Sequence, residues 1–408
     1  MLIIAHRILQ QAYQNPKKKW AILIKNGRIL TTGPAESLQR SFSRNKVVDL
    51  HEAIVMPGLV NVHTHLEIPS LHEKIAAGTY SSWVLNLLKI KRSLSQRDYR
   101  TAATENIRSL LESGTTTIGE ISTHRTSPKL LAESGLRAHV FQEIISMDPA
   151  KGTPSPASLL QRDRSLIRFV LSPHSPHTVS EQALGVIRDL QERKHFRLSM
   201  HAAETKAEGR LLRREKGDLV RLYSAAGWRR EWSPEAPSSI ALLGRIGILG
   251  PSLLLVHAVD VSDKDIAMIK RSDTAVSHCP RSNHSLHVGT MPLKKMLDAG
   301  IPVGLGTDSL ASVPTLNLWD EMRFAYNLHR KNGISPQDIL YLATMGGAKA
   351  LGMEKEIGSL ESGKKADIIA VPLPRKNTGD IRSDLLRETE SSIMTMVNGK
   401  ILHMDKAG

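Results

Sequence analysis

The chain is poor in the features that mark several protein classes. It has one cysteine, Cys279, so no internal disulfide can form and a disulfide-stapled scaffold is excluded. Aromatic residues make up 4% of it. No apolar run approaches the roughly 18 residues that would read as a membrane span. The first residues, Met1-Leu2-Ile3-Ile4-Ala5-His6-Arg7, lack the basic, apolar and small-residue layout of a secretory signal. Together these absences predict a cytoplasmic protein. Basic runs interleaved with aromatics are missing too. The formal net charge of +15 lies partly near Lys17-Lys18-Lys19 and partly around Arg210, Arg213, Arg214 and Lys216, among acids. That distribution reads as a basic solvated surface, with neither nucleic acid nor membrane as partner.

What is present is a long alternation of apolar strands and helical stretches. Its 408 residues predict one large domain plus a smaller one. Between about residues 54 and 308, eight strands are expected to end near His65, Glu120, Glu143, His174, His201, His257, His278 and Asp308. Continuous apolar strands separated by helices predict a parallel sheet covered on both faces. Eight such units fit an α/β fold of the (β/α)8, or TIM-barrel, type. Residues 1–57 and 358–408 instead read as short strands with turns. Neither end has enough apolar residues for its own core, so the two are expected to pair as one composite β-sandwich around a barrel of residues 58–357.

Each expected barrel strand finishes on a polar or ionisable residue. In this fold, active sites lie at the C-terminal strand ends. His63 and His65, two apart on one strand, point to the same face. A lone histidine at a strand end is more often a hydrogen-bonded cap, and a lone aspartate after glycine a turn. Suitable groups on five strand ends together predict a mononuclear metal site. Three histidines and an aspartate can hold Zn2+ or Fe2+ and leave a position for water. Glu204, three residues past His201, can fold back over such a site as a proton carrier.

The segments around these residues resemble the amidohydrolase superfamily. Pro57-Gly58-Leu59-Val60-Asn61-Val62-His63-Thr64-His65 is similar to its first metal motif, and Leu305-Gly306-Thr307-Asp308-Ser309 to its last. Gly358-Ser359-Leu360-Glu361-Ser362-Gly363-Lys364-Lys365-Ala366-Asp367 resembles its signature on the returning β-sandwich strand. Within the superfamily the chain resembles the nucleoside and nucleobase deaminases. That resemblance implies His63, His65, His201 and Asp308 as ligands of one divalent metal, zinc first and iron second. It implies Glu204 as proton shuttle, and His257 as the residue that orients water and polarises it together with Asp308. It also implies His278 as a pocket-lining residue and His174 as the histidine set against ribose. The expected partner is a small nucleoside; a homo-oligomer stays open.

Departures bear on the substrate. The methylthioadenosine and S-adenosylhomocysteine deaminases carry a ribose-gripping glutamate after the first strand, where this chain reads Lys89-Ile90-Lys91-Arg92. They carry an arginine on strand three, where it reads Gln142-Glu143. Tyr80-Ser81-Ser82-Trp83-Val84 and Gly119-Glu120-Ile121-Ser122-Thr123 resemble the aminodeoxyfutalosine deaminases of menaquinone synthesis instead. Trp83 can stack on an aromatic ring, and Glu143 is expected to face substrate. The alternatives are a methylthioadenosine, S-adenosylhomocysteine or adenosine deaminase, a guanine deaminase, or a chlorohydrolase.

Overall fold

The computed structural model describes residues 1–75, 78–148, 156–375 and 379–405. The last three residues of the expected 358–408 segment lie outside these. The chain opens with four strands, β1 (Leu2–Ile8), β2 (Lys17–Lys25), β3 (Arg28–Pro34) and β4 (Val47–Pro57). Then come β5 (Leu59–Thr64), β6 (Thr115–Ser122), β7 (Arg137–Ile144) and β8 (Ile167–Pro173). After them run β9 (Leu198–Ala202), β10 (Leu253–His257), β11 (Ala275–His278) and β12 (Val303–Leu305). Three late strands follow, β13 (Ile368–Pro372), β14 (Met394–Val397) and β15 (Lys400–Met404).

Strands β5 to β12 form one eight-stranded parallel sheet in chain order, with helices between them. The sheet closes on itself. Thr64 bridges Asp308 in parallel, and the Thr307 and Asp308 amides both donate to the His63 carbonyl, at 3.0 and 3.1 Å. Alternate residues fill the barrel interior, among them Val60, Val62, Phe141, Val170 and Leu254. The residues between them, such as Leu198, Met200, Leu253 and Leu255, pack outward under the helices. Each such side chain gains about 1.5–3 kcal/mol by leaving water.

The apolar run Ile54–His65 holds parts of two strands, divided at Gly58, with β4 in the terminal sheet and β5 in the barrel. A Cβ at Gly58 would lie 2.1 Å from Thr116 Oγ1, so no side chain fits where the chain changes sheet. The eighth strand also stops earlier than expected, at Leu305. Beyond it Asp308 has φ 62°, a conformation that a strand does not contain.

Both chain ends build one seven-stranded sheet, in the order β15-β14-β13-β4-β1-β2-β3. β4 sits between the early and the late strands, parallel to β1 and antiparallel to β13. Its two faces bury different sets. Ile3, Ile22, Ile29, Val55, Ile368 and Met394 share one core. Leu2, Ile4 and Leu23 pack on the other side with Leu38 and Phe42. Arg137 at the base of β7 grips Asp367 with two hydrogen bonds, 2.9 and 3.0 Å long, both side chains being buried. This pair fastens the barrel to the terminal sheet.

Candidate active site

Strand geometry brings the first two histidines together. His63 lies on β5 and His65 one residue beyond it, and their ring centroids are 4.9 Å apart. The side chain between them, Thr64, turns away and donates its hydroxyl to the Asp308 carbonyl at 3.2 Å. His201 near the end of β9 faces both, with its centroid 4.9 Å from that of His63 and 5.6 Å from that of His65. The coordinating atoms of His63, His65 and His201 all lie within 4.8 Å of one another.

Asp308 completes the set. Its Oδ1 lies 3.6 Å from His63 Nε2 and 3.4 Å from His65 Nε2. Its other oxygen, Oδ2, accepts from the Ser282 hydroxyl at 2.5 Å and the Ser312 hydroxyl at 3.0 Å. One oxygen is thus held by the protein and the other is turned to the histidines. Burial works against the Asp308 charge, but His63, His65 and His257 outweigh it and hold its carboxyl well below the usual range. Burial pushes His63 well down and His65 to about 4. Neutral imidazoles beside an ionised carboxylate are the protonation states that bind a divalent cation.

The donor set fits such an ion. Both ring nitrogens of His63 are buried without a hydrogen-bond partner among the described residues. His201 Nδ1 lies 3.0 Å from the His174 carbonyl, which can only accept. The proton therefore sits on Nδ1, and the lone pair of Nε2 is left for a metal. His257, at the end of β10, is fixed in the same way by Asn283 Oδ1, 2.8 Å from its Nδ1. His257 and Asp308 both have positive φ, 76° and 62°. Such backbone costs about 1–3 kcal/mol per residue and clusters at functional sites.

Glu204 does fold back over the site. Its Oε1 lies 3.6 Å from His257 Nε2, and its Oε2 accepts from the Tyr80 hydroxyl at 2.7 Å. Burial drives its carboxyl up to about 7, against the lowering effects of His201 and Tyr80. A second acid pins the turn beneath it. Glu208 accepts from the Ala203 and Glu204 amides, each at 3.0 Å.

A cavity of about 170 Å³ opens above this group. His174, Trp83 and Glu143, expected to meet substrate, all line it. Trp83 also packs on Ile68 and Leu71, so it serves core and cavity at once. Burial raises Glu143, but His174, Lys91 and His65 overcome it and hold the carboxyl near 2, while Thr123 donates to it at 2.8 Å. His278 is the exception. It is fully buried outside the cavity lining, with Nε2 3.0 Å from His329 Nε2. Its ring turns from the barrel mouth toward the helix Leu318–His329. Glu120, another strand tip, also points away, and accepts from the Leu66 amide at 2.9 Å.

Several residues of the site had no signal of their own in the sequence. Tyr80 and Lys91 open and close the helix Tyr80–Lys91, and Trp228 follows a later helix; all three line the cavity. Thr205 and Glu208 could have been found from their capping spacing, since Glu208 N donates to Thr205 Oγ1 at 3.1 Å.

A parallel eight-stranded barrel with this donor set at its C-terminal mouth is the arrangement of a hydrolase working with a divalent metal. The chain belongs to the amidohydrolase family, whose pattern it matches over residues 54–402. It is 29% identical over 402 residues to a 5-methylthioadenosine/S-adenosylhomocysteine deaminase of Moorella thermoacetica, spanning 94% of this chain and 90% of that one. Its fold is similar to that of Helicobacter pylori aminofutalosine deaminase in complex with methylthio-coformycin, with TM-score 0.87 and 22% identity over 98% of this chain and 99% of that one. It is also similar to an adenosine deaminase from Xanthomonas campestris with bound zinc, with TM-score 0.83 and 24% identity over 100% and 95% of the two chains. Among the described residues, no helix is long and apolar enough to cross a membrane.

Proposed function

We propose that the chain removes the 6-amino group of an adenine nucleoside by hydrolysis. The observation that carries this reading is Glu204, a buried carboxyl 3.6 Å from His257, beside three clustered histidines and Asp308, of which His65, His201 and Asp308 line the cavity. His63, His65, His201 and Asp308 would hold the ion, which we assign as zinc, with ferrous iron the alternative. A divalent ion in such a set brings the pKa of water toward neutrality.

The chain's own groups account for the proton traffic. Glu204, near 7, can take a proton from water and deliver it to ring N1 at neutral pH. His257, locked by Asn283, presents Nε2 on the Glu204 side and orients the attacking water. The water oxygen bonds to C6, which becomes tetrahedral. The C6–N bond then breaks, and the amine leaves as ammonia with the second water proton. A 6-oxo nucleoside remains.

For the 5′ group, we assign 6-aminodeoxyfutalosine, an adenosine extended by a carboxyphenyl ketone. Trp83, Trp228 and Leu222 give the cavity an apolar wall suited to an aryl group, and Lys91 adds a cation suited to its carboxylate. The fold neighbour from Helicobacter pylori supports the same choice by its name. A second reading, methylthioadenosine or S-adenosylhomocysteine, is favoured by the Moorella thermoacetica relative. One ultraviolet assay separates them. Aminodeoxyfutalosine, methylthioadenosine, S-adenosylhomocysteine, adenosine and guanine are compared at equal concentration, with ammonia measured in parallel. The highest kcat/KM is expected for aminodeoxyfutalosine. No ammonia from any adenine nucleoside would overturn the proposed reaction.

A further inference from the structure

The opposite end of the barrel holds a second group of polar side chains, with Arg137 and His139 buried, Arg197 partly buried and Arg168 exposed. Arg137 opens β7, Arg168 lies at the start of β8, and Arg197 directly precedes β9. These are the N-terminal ends of three neighbouring strands, whereas Glu143, His174 and His201 mark their C-terminal ends. His139, two residues along β7 from Arg137, lies on the same side of its strand and in register with Arg168. Two adjoining cavities of about 600 and 350 Å³ open here, and both are lined by His139 and Arg168.

The charges there are incompletely matched. Arg137 is neutralised by Asp367, and Arg168 lies 3.3 Å from Asp163. Arg197 is different. Its terminal nitrogens donate to the carbonyls of Pro251 and Ala350, at 3.0 and 2.6 Å, and its Nε–H is buried without a partner among the described residues. Carbonyl oxygens solvate a guanidinium but do not cancel its charge, and Glu354 opposes it only through space, with burial the larger effect. His139 is 4% exposed, and neither ring nitrogen has a partner among the described residues. Burial, followed by Arg197, Arg168 and Arg137, holds that ring neutral. A neutral imidazole keeps one N–H donor and one acceptor nitrogen. Glu356 is the opposing charge on the lining of both cavities, beside Asp163. Across the two linings seven basic side chains face these two carboxylates.

We propose that this N-terminal mouth of the barrel binds an oxyanion of phosphate size, held by Arg197, Arg168 and His139. Unpaired N–H donors and an excess of positive charge on the two linings call for a ligand made of acceptor oxygens. Hydrogen phosphate also carries one O–H, which matches the acceptor nitrogen of His139. The ligand is free phosphate or the head of a phosphate monoester. The site faces away from Glu204, so it stands or falls independently of the proposed deamination.

The test is thermal unfolding of the intact, metal-loaded chain, titrated with sodium phosphate, with glycerol 2-phosphate, and with sodium chloride at matched ionic strength. Phosphate is expected to raise Tm saturably, by about 5 °C well above its Kd. Chloride should not. Response to the ester as well identifies a monoester head; response to phosphate alone identifies the free ion. His139→Leu removes two unpartnered nitrogens, so the variant should fold, and it should lose the phosphate response. Arg168→Gln, at a side chain 59% exposed, should weaken the response at least tenfold in apparent Kd. An equal rise with chloride, no rise at all, or wild-type responses in both variants would overturn the site.

Discussion

The Tyr80 hydroxyl donates to Glu204 at 2.7 Å, on the carboxylate oxygen that does not face His257. A donor on the charged form favours that form, so Tyr80 restrains a carboxyl that burial alone would drive higher. If Glu204 acts as base, kcat/KM falls on the acid side as Glu204 takes up a proton, with an apparent pKa near 7. Tyr80→Phe removes the restraint. The acidic limb of the pH–rate profile is then expected to move to higher pH. An unmoved limb would show that this carboxyl does not govern the profile.

Glu204→Gln keeps the volume and the hydrogen-bonding reach but cannot carry a proton. Turnover is expected to fall about 10²–10⁴-fold with metal content intact. His63→Ala should instead lower both, because it removes one of the clustered nitrogens. Elemental analysis alongside steady-state rates distinguishes the two. Near-wild-type turnover in the Gln variant would remove Glu204 from the reaction.

Lys91 is a cation on the lining of the cavity. Lys91→Met is expected to raise KM for the carboxyaryl nucleoside about tenfold more than for methylthioadenosine, the size of one charge-assisted hydrogen bond. The ratio of the two kcat/KM values is the measurement. An unchanged ratio would detach the cation from the 5′ group.

Arg137→Leu would leave Asp367 buried and unpaired between barrel and terminal sheet. Breaking a buried pair in this way costs about 3–5 kcal/mol. Denaturant unfolding should show that loss, and the double variant with Asp367→Asn should recover part of it. A loss under 1 kcal/mol would show that this pair does not fasten the barrel to the terminal sheet.

Much of this was legible in the sequence, for physical reasons. A period of two aligns His63 with His65 whatever surrounds them. Apolar strands with polar tips give a barrel because only parallel sheets bury both faces. His174, Glu143 and Trp83 were found because strand ends and the first loop face the mouth. His278 shows the limit. It ends a strand as the others do, but β11 is four residues long and its last ring swings onto His329, 51 positions away. Tyr80 and Trp228 were hidden differently. Tyr80 reaches the cavity from a helix and Trp228 from the loop after one, both outside the barrel, and packing of those segments sets their direction more than local pattern does. Apolarity alone does not reveal the change of sheet within Ile54–His65; the crowding of Gly58 against Thr116 explains the break.

The interleaving of β4 between β1 and β13 bears on how the chain matures. Val55 is paired with Ala370, so one flank of β4 has no neighbour until the ribosome has made nearly all the rest. Through most of translation that open strand edge is a template for unwanted pairing with other nascent chains. Slowing elongation near the 3′ end of the message should therefore raise the aggregated fraction.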